Sequence, residues 1–374
     1  MNESMIKYLV GSTMIKYEQL DKLFKDIQIA NDQVVIHLDA WHIFKRFFRD
    51  DITHFFTTVP EEILVQEIVV GFINIIAHYR KYVAAKLHKD NVILVYFNPG
   101  KSIYHTAFNR EYKAKMVSMI YDKNHKDYII INSVLSKSVN MLMDFITRIE
   151  GVYWIHNYGI DTPTAVCYTI NTPAYKDSFH IVISRDEQYA ELISDNFIQF
   201  CQRRKYSKLI TKNNFTENVF AKPVNKGVIT HLTPKSMKFY FALNGCSDVG
   251  IKQNPIGRGP TVISRLNELY RENLINDNSS IQTVINELEK KYKNYKDNLE
   301  NNYDRIVTRY KMYDLWLSAR SISKTSISHM FHSHFDLYDQ ESLEKLNQLL
   351  ADINIGDIIH LNDLNMNKAV IWNK

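Results

Sequence analysis

Apolar and polar positions along this chain alternate between two regimes. Gln33 to Asp39 (QVVIHLD) is a run of β-branched and apolar residues closed by an acid, and Asn91 to Asn98 (NVILVYFN) repeats the pattern. Val152 to His156 and His180 to Ser184 (HIVIS) add two more such runs, Ser207 to Thr211 a fifth, and Tyr128 to Ile131 reads as a further short strand. Runs this uniformly apolar fit strands covered on both faces, as in a parallel sheet. Between them lie segments of helical period. Pro60 to Leu87 opens on Pro60, Glu61 and Glu62, a helix-start signature. Val139 to Ile149 is helical, another helix begins near Thr164, and residues 1–31 read as a short helical extension. Strands alternating with helices predict an α/β fold.

After Leu232 the pattern becomes helical. Ile281 to Tyr310 reads as one long, highly charged helix with little apolar face, favouring a solvated or packing helix over one that contacts a polyanion. The division that follows is an extension over 1–31, an α/β domain over 32–230, a helical pair over 231–275 and a helical region over 276–374.

Composition narrows the class modestly. The chain has 374 residues, 45% of them hydrophobic, and a net charge of +5. That excess is small, but Arg203, Arg204, Lys205, Lys208 and Lys212 form a basic run, followed by Lys222, Lys226, Lys235 and Lys238. Such a run is either a solvated face or a track for a polyanion. Cys167, Cys201 and Cys246 are odd in number and widely spaced, which makes neither a disulfide framework nor a zinc pattern and fits a reducing compartment. Lys7, Lys16, Asp21 and Lys22 interrupt any leader pattern, and Ile63 to Tyr79, with Gln66 and Glu67 inside it, reads as too short to cross a bilayer. The expectation is a soluble cytoplasmic protein without a membrane partner. Abundant Lys, Asn, Ile and Tyr hint at an AT-rich genome such as a phage's, which would make the compartment the host cytoplasm.

The candidate chemistry is acidic. Ligands of open α/β sheets bind beyond the carboxyl ends of the strands. Asp39 ends the first strand, Asp186 follows the fourth, Asp161 precedes a helix in GIDTPTA, and Asp248 sits in a turn before a glycine loop. Converging carboxylates would make a hard-oxygen site for Mg²⁺ or Mn²⁺, able to hydrolyse a phosphodiester. Each aspartate alone also suits a helix cap or a turn. In LTPKSMKFYFALNGCSDVGIKQNPIGRGPTVISRLNEL, from Leu232 to Leu269, Gly257 and Gly259 precede Pro260 at a helix start. The exposed N–H groups there suit a nucleic-acid phosphate, although Gly-x-Gly-Pro also serves as an ordinary helix entry. Lys101, Arg110, Lys113 and Lys115 interleave with Tyr104, Phe108 and Tyr112, fitting either backbone neutralisation with base stacking or an amphipathic helix.

Read in order, these stretches resemble the 5′-3′ exonuclease and flap endonuclease family, with its PIN-like α/β fold, from about residue 33 to 270. VVIHLDAWHIFKRFF is similar to the family's opening strand-acid motif. VILVYFNPGKSIYHTAFNREYKAKM is similar to its strand, loop and arch, placing the arch at about 99–140. Tyr112 and Lys113 match a Tyr-Lys-x-x-Arg signature whose final arginine is Met116 here. GIDTPTA occupies the place of Gly-x-Glu-Ala-Asp-Asp, and HIVISRDEQYAELI that of Ser-x-Asp-x-Asp. NGCSDVGIKQNPIGRGPT resembles the helix–three-turn–helix that grips duplex phosphates.

The resemblance implies Asp39, Asp161, Asp186 and Asp248 as metal ligands for Mg²⁺ or Mn²⁺, with Asp39 and Asp186 at the chemistry and Lys113 on the scissile phosphate. It further implies DNA contacts by Lys101, Arg110, Lys113, Lys115, Gly257, Arg258, Gly259 and Thr261, with K⁺ at the Gly257–Gly259 loop. The expected partner is duplex DNA with a 5′ end or a branch, beside replication proteins that the sequence does not name. The departures cluster on the metal side. Asn98, Gln188 and Gly245 stand where the family has acids, the Glu-Ala-Asp-Asp acids reduce to Asp161, and the arch arginine aligns with His105. Two divalent ions about 4 Å apart repel, and several carboxylates must offset that repulsion. The resemblance therefore implies a DNA-binding protein with impaired or absent cleavage, acting as a pseudonuclease or assembly subunit. The alternative is an active, divergent Mg²⁺/Mn²⁺-dependent 5′ nuclease.

Overall fold

A computed structural model of the chain describes residues 16–47, 59–98, 128–146, 149–157, 160–201, 207–220, 230–245 and 259–321. Six strands form one sheet: β1 (Gln33–Asp39), β2 (Asp90–Phe97), β3 (Val152–His156), β4 (Phe179–Ile183), β5 (Phe197–Cys201) and β6 (Lys208–Ile210). Their order is β3-β2-β1-β4-β5-β6. The first five run parallel, and β6 pairs antiparallel with β5. The parallel expectation is thus corrected at one edge. The strand β5 (FIQFC) escaped the sequence reading because its apolar run is short and broken by Gln199.

Both faces of the sheet are covered, which is why β1, β2 and β4 read as continuous apolar runs. Val34, Ile36 and Leu38 of β1, with Ile93, Val95 and Phe97 of β2, face one core. There α1 (Tyr17–Phe24), α2 (Ala40–Phe47), α3 (Glu61–Lys86) and α4 (Tyr128–Ile146) pack. Val35, Leu94, Tyr96 and Val182 face the other core. This second core is built with α5 (Thr162–Thr169), α7 (Met237–Asn244), α8 (Gly259–Arg271), α9 (Ile281–Lys291), α11 (Tyr303–Tyr313) and α12 (Leu315–Ser321). The short helices α6 (Phe215–Phe220) and α10 (Lys296–Asn301) complete the set.

Three sequence expectations change here. Tyr128 to Ile131 opens α4 rather than forming a strand. Apolar side chains recur at Ile131, Val134, Leu135, Leu142 and Phe145, a helical spacing that a four-residue window cannot reveal. Ile281 to Tyr310 is not one helix. The chain breaks at Tyr292 (φ −127°, ψ 75°) and Asn302 (φ −113°, ψ 10°), and Ser280 caps α9 by accepting the Thr283 N–H at 3.0 Å. Nor does the segment lack an apolar face, since Ile281, Val284, Ile285, Leu288, Leu299 and Ile306 are buried. Finally, α3 extends 26 residues, long enough by length and composition to cross a membrane. Its apolar surface lies inside the fold instead, with 72% of its most apolar window buried.

Candidate active site

Strand order reverses beside β1, whose neighbours are β2 on one side and β4 on the other. This is a topological switch point, where the carboxyl ends of parallel strands open a crevice. Asp39 ends β1, Asn98 follows β2, Asn157 follows β3, and Ser184 follows β4. All four are buried, Asp39 being 8% and Asn98 5% exposed.

Asp39 accepts the His42 N–H at 3.3 Å through Oδ1, capping α2, and the Ser184 hydroxyl at 3.3 Å through Oδ2. Ser184 Oγ accepts the Asp186 N–H at 3.2 Å, so one serine links the two aspartates of adjacent strands. Asp186 Oδ1 accepts the Gln188 N–H at 3.0 Å and starts a 3₁₀ turn, Glu187–Leu192. Asp39 and Asp186 therefore do serve as caps. Asp161 occupies the N-cap of α5 but makes no side-chain capping bond. All three carboxylates act on Tyr189, which is fully buried. Burial chiefly, then the negative charges of Asp39, Asp186 and Asp161, hold its phenol well above the usual tyrosine range.

The donor set stops short of a metal centre. Among the described residues, no three His, Cys, Asp or Glu side chains lie close enough together to hold a metal ion. Asp248 lies outside the described residues, as do Lys101, Arg110, Lys113, Lys115, Gly257 and Arg258. The chemistry at the β2 exit is also not that of a ligand waiting for a cation. The Asn98 amide donates to the Ile160 carbonyl at 2.7 Å, and the Asn157 amide donates to the same oxygen at 2.9 Å and to Thr162 Oγ1 at 3.3 Å. Trp41 Nε1 in turn donates to the Asn98 carbonyl. These amides tie the β2 and β3 exits to the loop that delivers Asp161. A carboxylate at 98 could not donate and would face a carbonyl oxygen. The described residues thus do not fit the metal centre that the resemblance implies.

Gln199, 1% exposed on β5, also escaped the sequence reading. Its Nε2 donates to the Ser184 carbonyl at 3.2 Å and the Asp186 carbonyl at 2.8 Å, clamping the turn from below. The only sequence signal was a lone amide inside an apolar run. Gln199→Leu is expected to lower unfolding free energy by about 2 kcal/mol, because the buried Ser184 carbonyl loses this donor and the Asp186 carbonyl keeps only the Tyr189 N–H at 3.4 Å. Urea denaturation would check this, and a change below about 0.5 kcal/mol would show that Gln199 does not hold the turn.

Of the glycine-loop residues, Gly259 and Thr261 are described, at the start of α8. A Cβ on Gly259 would lie 3.0 Å from the Tyr240 hydroxyl and 3.4 Å from Asn244 Oδ1, so a side chain there would have to displace the tips of these two α7 residues. Parts of the basic run are engaged internally. Lys208 donates to the Asn218 carbonyl at 2.7 Å, Lys212 pairs with Asp195 at 2.7 Å, and Lys238 is buried against Asp314 at 3.6 Å.

No protein-family model matches the sequence, and no curated protein sequence matches it. Solved structures do match in fold. The bacteriophage T5 flap endonuclease, in a pseudo-enzyme–product complex with DNA and metal ions, superposes with a TM-score of 0.56 at 13% identity. That match covers 86% of this chain and 98% of the other. The T5 5′-exonuclease with bound zinc gives 0.55 at 12% identity, over 86% and 99%. The T5 protein co-crystallised with metal ions gives 0.55 at 14% identity, over 86% and 99%. At such identities the likeness establishes architecture alone, and on that ground the chain has the mixed α/β fold of the T5 5′-exonuclease and flap endonuclease.

Proposed function

We propose that this protein binds branched or 5′-ended DNA in the manner of the 5′-3′ exonucleases and flap endonucleases, with metal-dependent cleavage impaired or absent. The observation that carries this reading is the Asn98 amide. At a strand end where the family resemblance puts an acid, the chain has a hydrogen-bond donor that the local fold uses. A site rebuilt around a donor is poorly suited to divalent cations. The DNA-binding half of the proposal rests on the shared fold and on the sequence pattern of Lys101, Arg110, Lys113 and Lys115 and of the Gly257–Gly259 loop. The second reading, an active reduced-acid nuclease, draws support from the retained carboxylates Asp39, Asp161 and Asp186, whose charges all act on the buried Tyr189.

A labelled 5′-flap and a nicked duplex, bound in EDTA over a range of salt concentrations, test the first half. Tight binding with a steep salt dependence is expected. Lys113→Glu with Lys115→Glu is expected to flatten the slope of log K against log salt by about 2, near 0.9 per phosphate contact. An unchanged slope would remove the arch from the DNA track. Cleavage of the same substrates in Mg²⁺ or Mn²⁺, abolished by Asp39→Ala and by Asp186→Ala, would replace the proposal with the second reading.

A further inference from the structure

Five residues beyond Asp186, the same 3₁₀ turn carries a buried acid. Glu191 is 2% exposed. Its Oε2 accepts the Leu315 N–H at 3.0 Å, across 124 residues of sequence, while its Oε1 has no hydrogen-bond partner among the described residues. A carboxylate buried in this way would hold a full charge against a single N–H, an arrangement that costs several kcal/mol. The charges around it do not redress the balance. Asp314 is buried immediately before α12, accepts the Leu317 N–H at 2.8 Å, and is the group that Lys238 faces at 3.6 Å. Lys235, on the turn before α7, and Arg320, on α12, are exposed. The other titratable neighbours are the buried Cys167 thiol of α5 and the Tyr310 phenol of α11. One buried ammonium thus faces two buried carboxyls, and Asp314 already has it.

We infer that Glu191 is a latch between the turn that starts at Asp186 and the C-terminal helices, closed while its carboxyl is neutral and released when the carboxyl ionises. As a neutral acid it still accepts the Leu315 N–H, so the first turn of α12 docks on the 3₁₀ turn. Loss of its proton places two like charges, Glu191 and Asp314, in one apolar site. Burial first, then the charge of Asp314, pushes the Glu191 carboxyl well above the usual carboxylate range. An acid shifted upward on folding stabilises the fold fully below its unfolded value, and that contribution drains away as pH rises toward the folded value. The latch is a positioning device and does not depend on what the Asp186 turn binds.

The test compares the full-length wild type with Glu191→Gln and Glu191→Ala by thermal unfolding between about pH 5.5 and about pH 9. Glu191→Gln keeps an acceptor for Leu315 and removes the proton. Wild type is expected to lose stability relative to Glu191→Gln with rising pH, while Glu191→Ala is the least stable protein at the low end. The infrared C=O band of a protonated carboxylic acid, measured near neutral pH, is expected to shrink in Glu191→Gln. Parallel stability curves and an unchanged band would overturn the latch. Should neither variant fold, hydrogen exchange of the Leu315 amide in wild type decides. Its protection, corrected for intrinsic exchange, is expected to fall about tenfold per pH unit as one proton leaves, and pH-independent protection would overturn the proposal.

Discussion

Asn98→Asp together with Gln188→Asp is expected to raise Mn²⁺-dependent cleavage of a 5′-flap by about a hundredfold or more over wild type, since each 1.4 kcal/mol of barrier is worth a factor of ten. The two changes restore carboxylates at the two amide positions nearest Asp39 and Asp186 in the sequence motifs. Asn98 is 5% and Gln188 1% exposed, so without a cation the new charges lie buried and destabilise the fold. Asn98→Asp also removes one of the two amide donors to the Ile160 carbonyl, a loss of about 1 kcal/mol since Asn157 still bonds it. The double variant should therefore melt lower than wild type in EDTA and recover with added Mn²⁺, because a ligand that binds only the native state stabilises it. A variant that neither cleaves nor responds to Mn²⁺ would show that the missing acids are not what separates this chain from a nuclease. A wild type that already cleaves at the level of the variant would point the same way.

The buried histidine pair is expected to contribute about 3 kcal/mol less to stability at about pH 4 than at about pH 6.5, opposite in sign to the contribution of Glu191. His37 of β1 lies in the second core, fully buried, with Nδ1 3.0 Å from the Tyr96 hydroxyl and Nε2 3.0 Å from His180 Nδ1. Burial, and secondarily the proximity of His180, holds His37 well below the usual imidazole range. Burial pushes His180 down to about 4. Two imidazoles sharing one hydrogen bond cannot both carry a proton there. The sign follows directly. The unfolded chain takes up protons near pH 6.5 and the folded one does not, so stability is complete above that value and is lost as pH falls toward the folded values. The His37→Leu/His180→Leu double variant should be less stable at neutral pH, having lost both bonds, yet show a flatter dependence of the urea midpoint on pH. An equally steep slope in that variant would place the acid sensitivity elsewhere.

Much of the architecture could be read from the chain because parallel strands covered on both faces leave unbroken apolar runs. QVVIHLD, NVILVYFN and HIVIS are of this kind, and each became a strand of the sheet. The failures share a cause. Tyr128 to Ile131 and Phe197 to Cys201 are four- and five-residue windows, too short for periodicity to separate helix from strand. The breaks at Tyr292 and Asn302 carry no proline or glycine signal. At the site, Asp39, Asp161 and Asp186 were legible as acids near strand ends, and their charges bear on the buried Tyr189. The supporting layer was not. Ser184 and Gln199 act through hydrogen bonds between separate strand ends, and Glu191 reaches a helix 124 residues away. The amide at 98 looked like a lost acid and proves to be a used donor.

The placement of β1 in the sheet has a consequence for synthesis. Asp39 and Ser184 are 145 residues apart in the chain, yet they meet because β4 pairs directly with β1. At translation rates of about 5–20 residues per second, the first strand waits on the order of 7–30 seconds for its second neighbour. Throughout that interval one hydrogen-bonding edge of an apolar seven-residue strand stands open, the kind of edge that recruits other chains. A nascent chain stalled before Ile183 is accordingly expected to be a strong chaperone client, and one stalled beyond β5 a weak one.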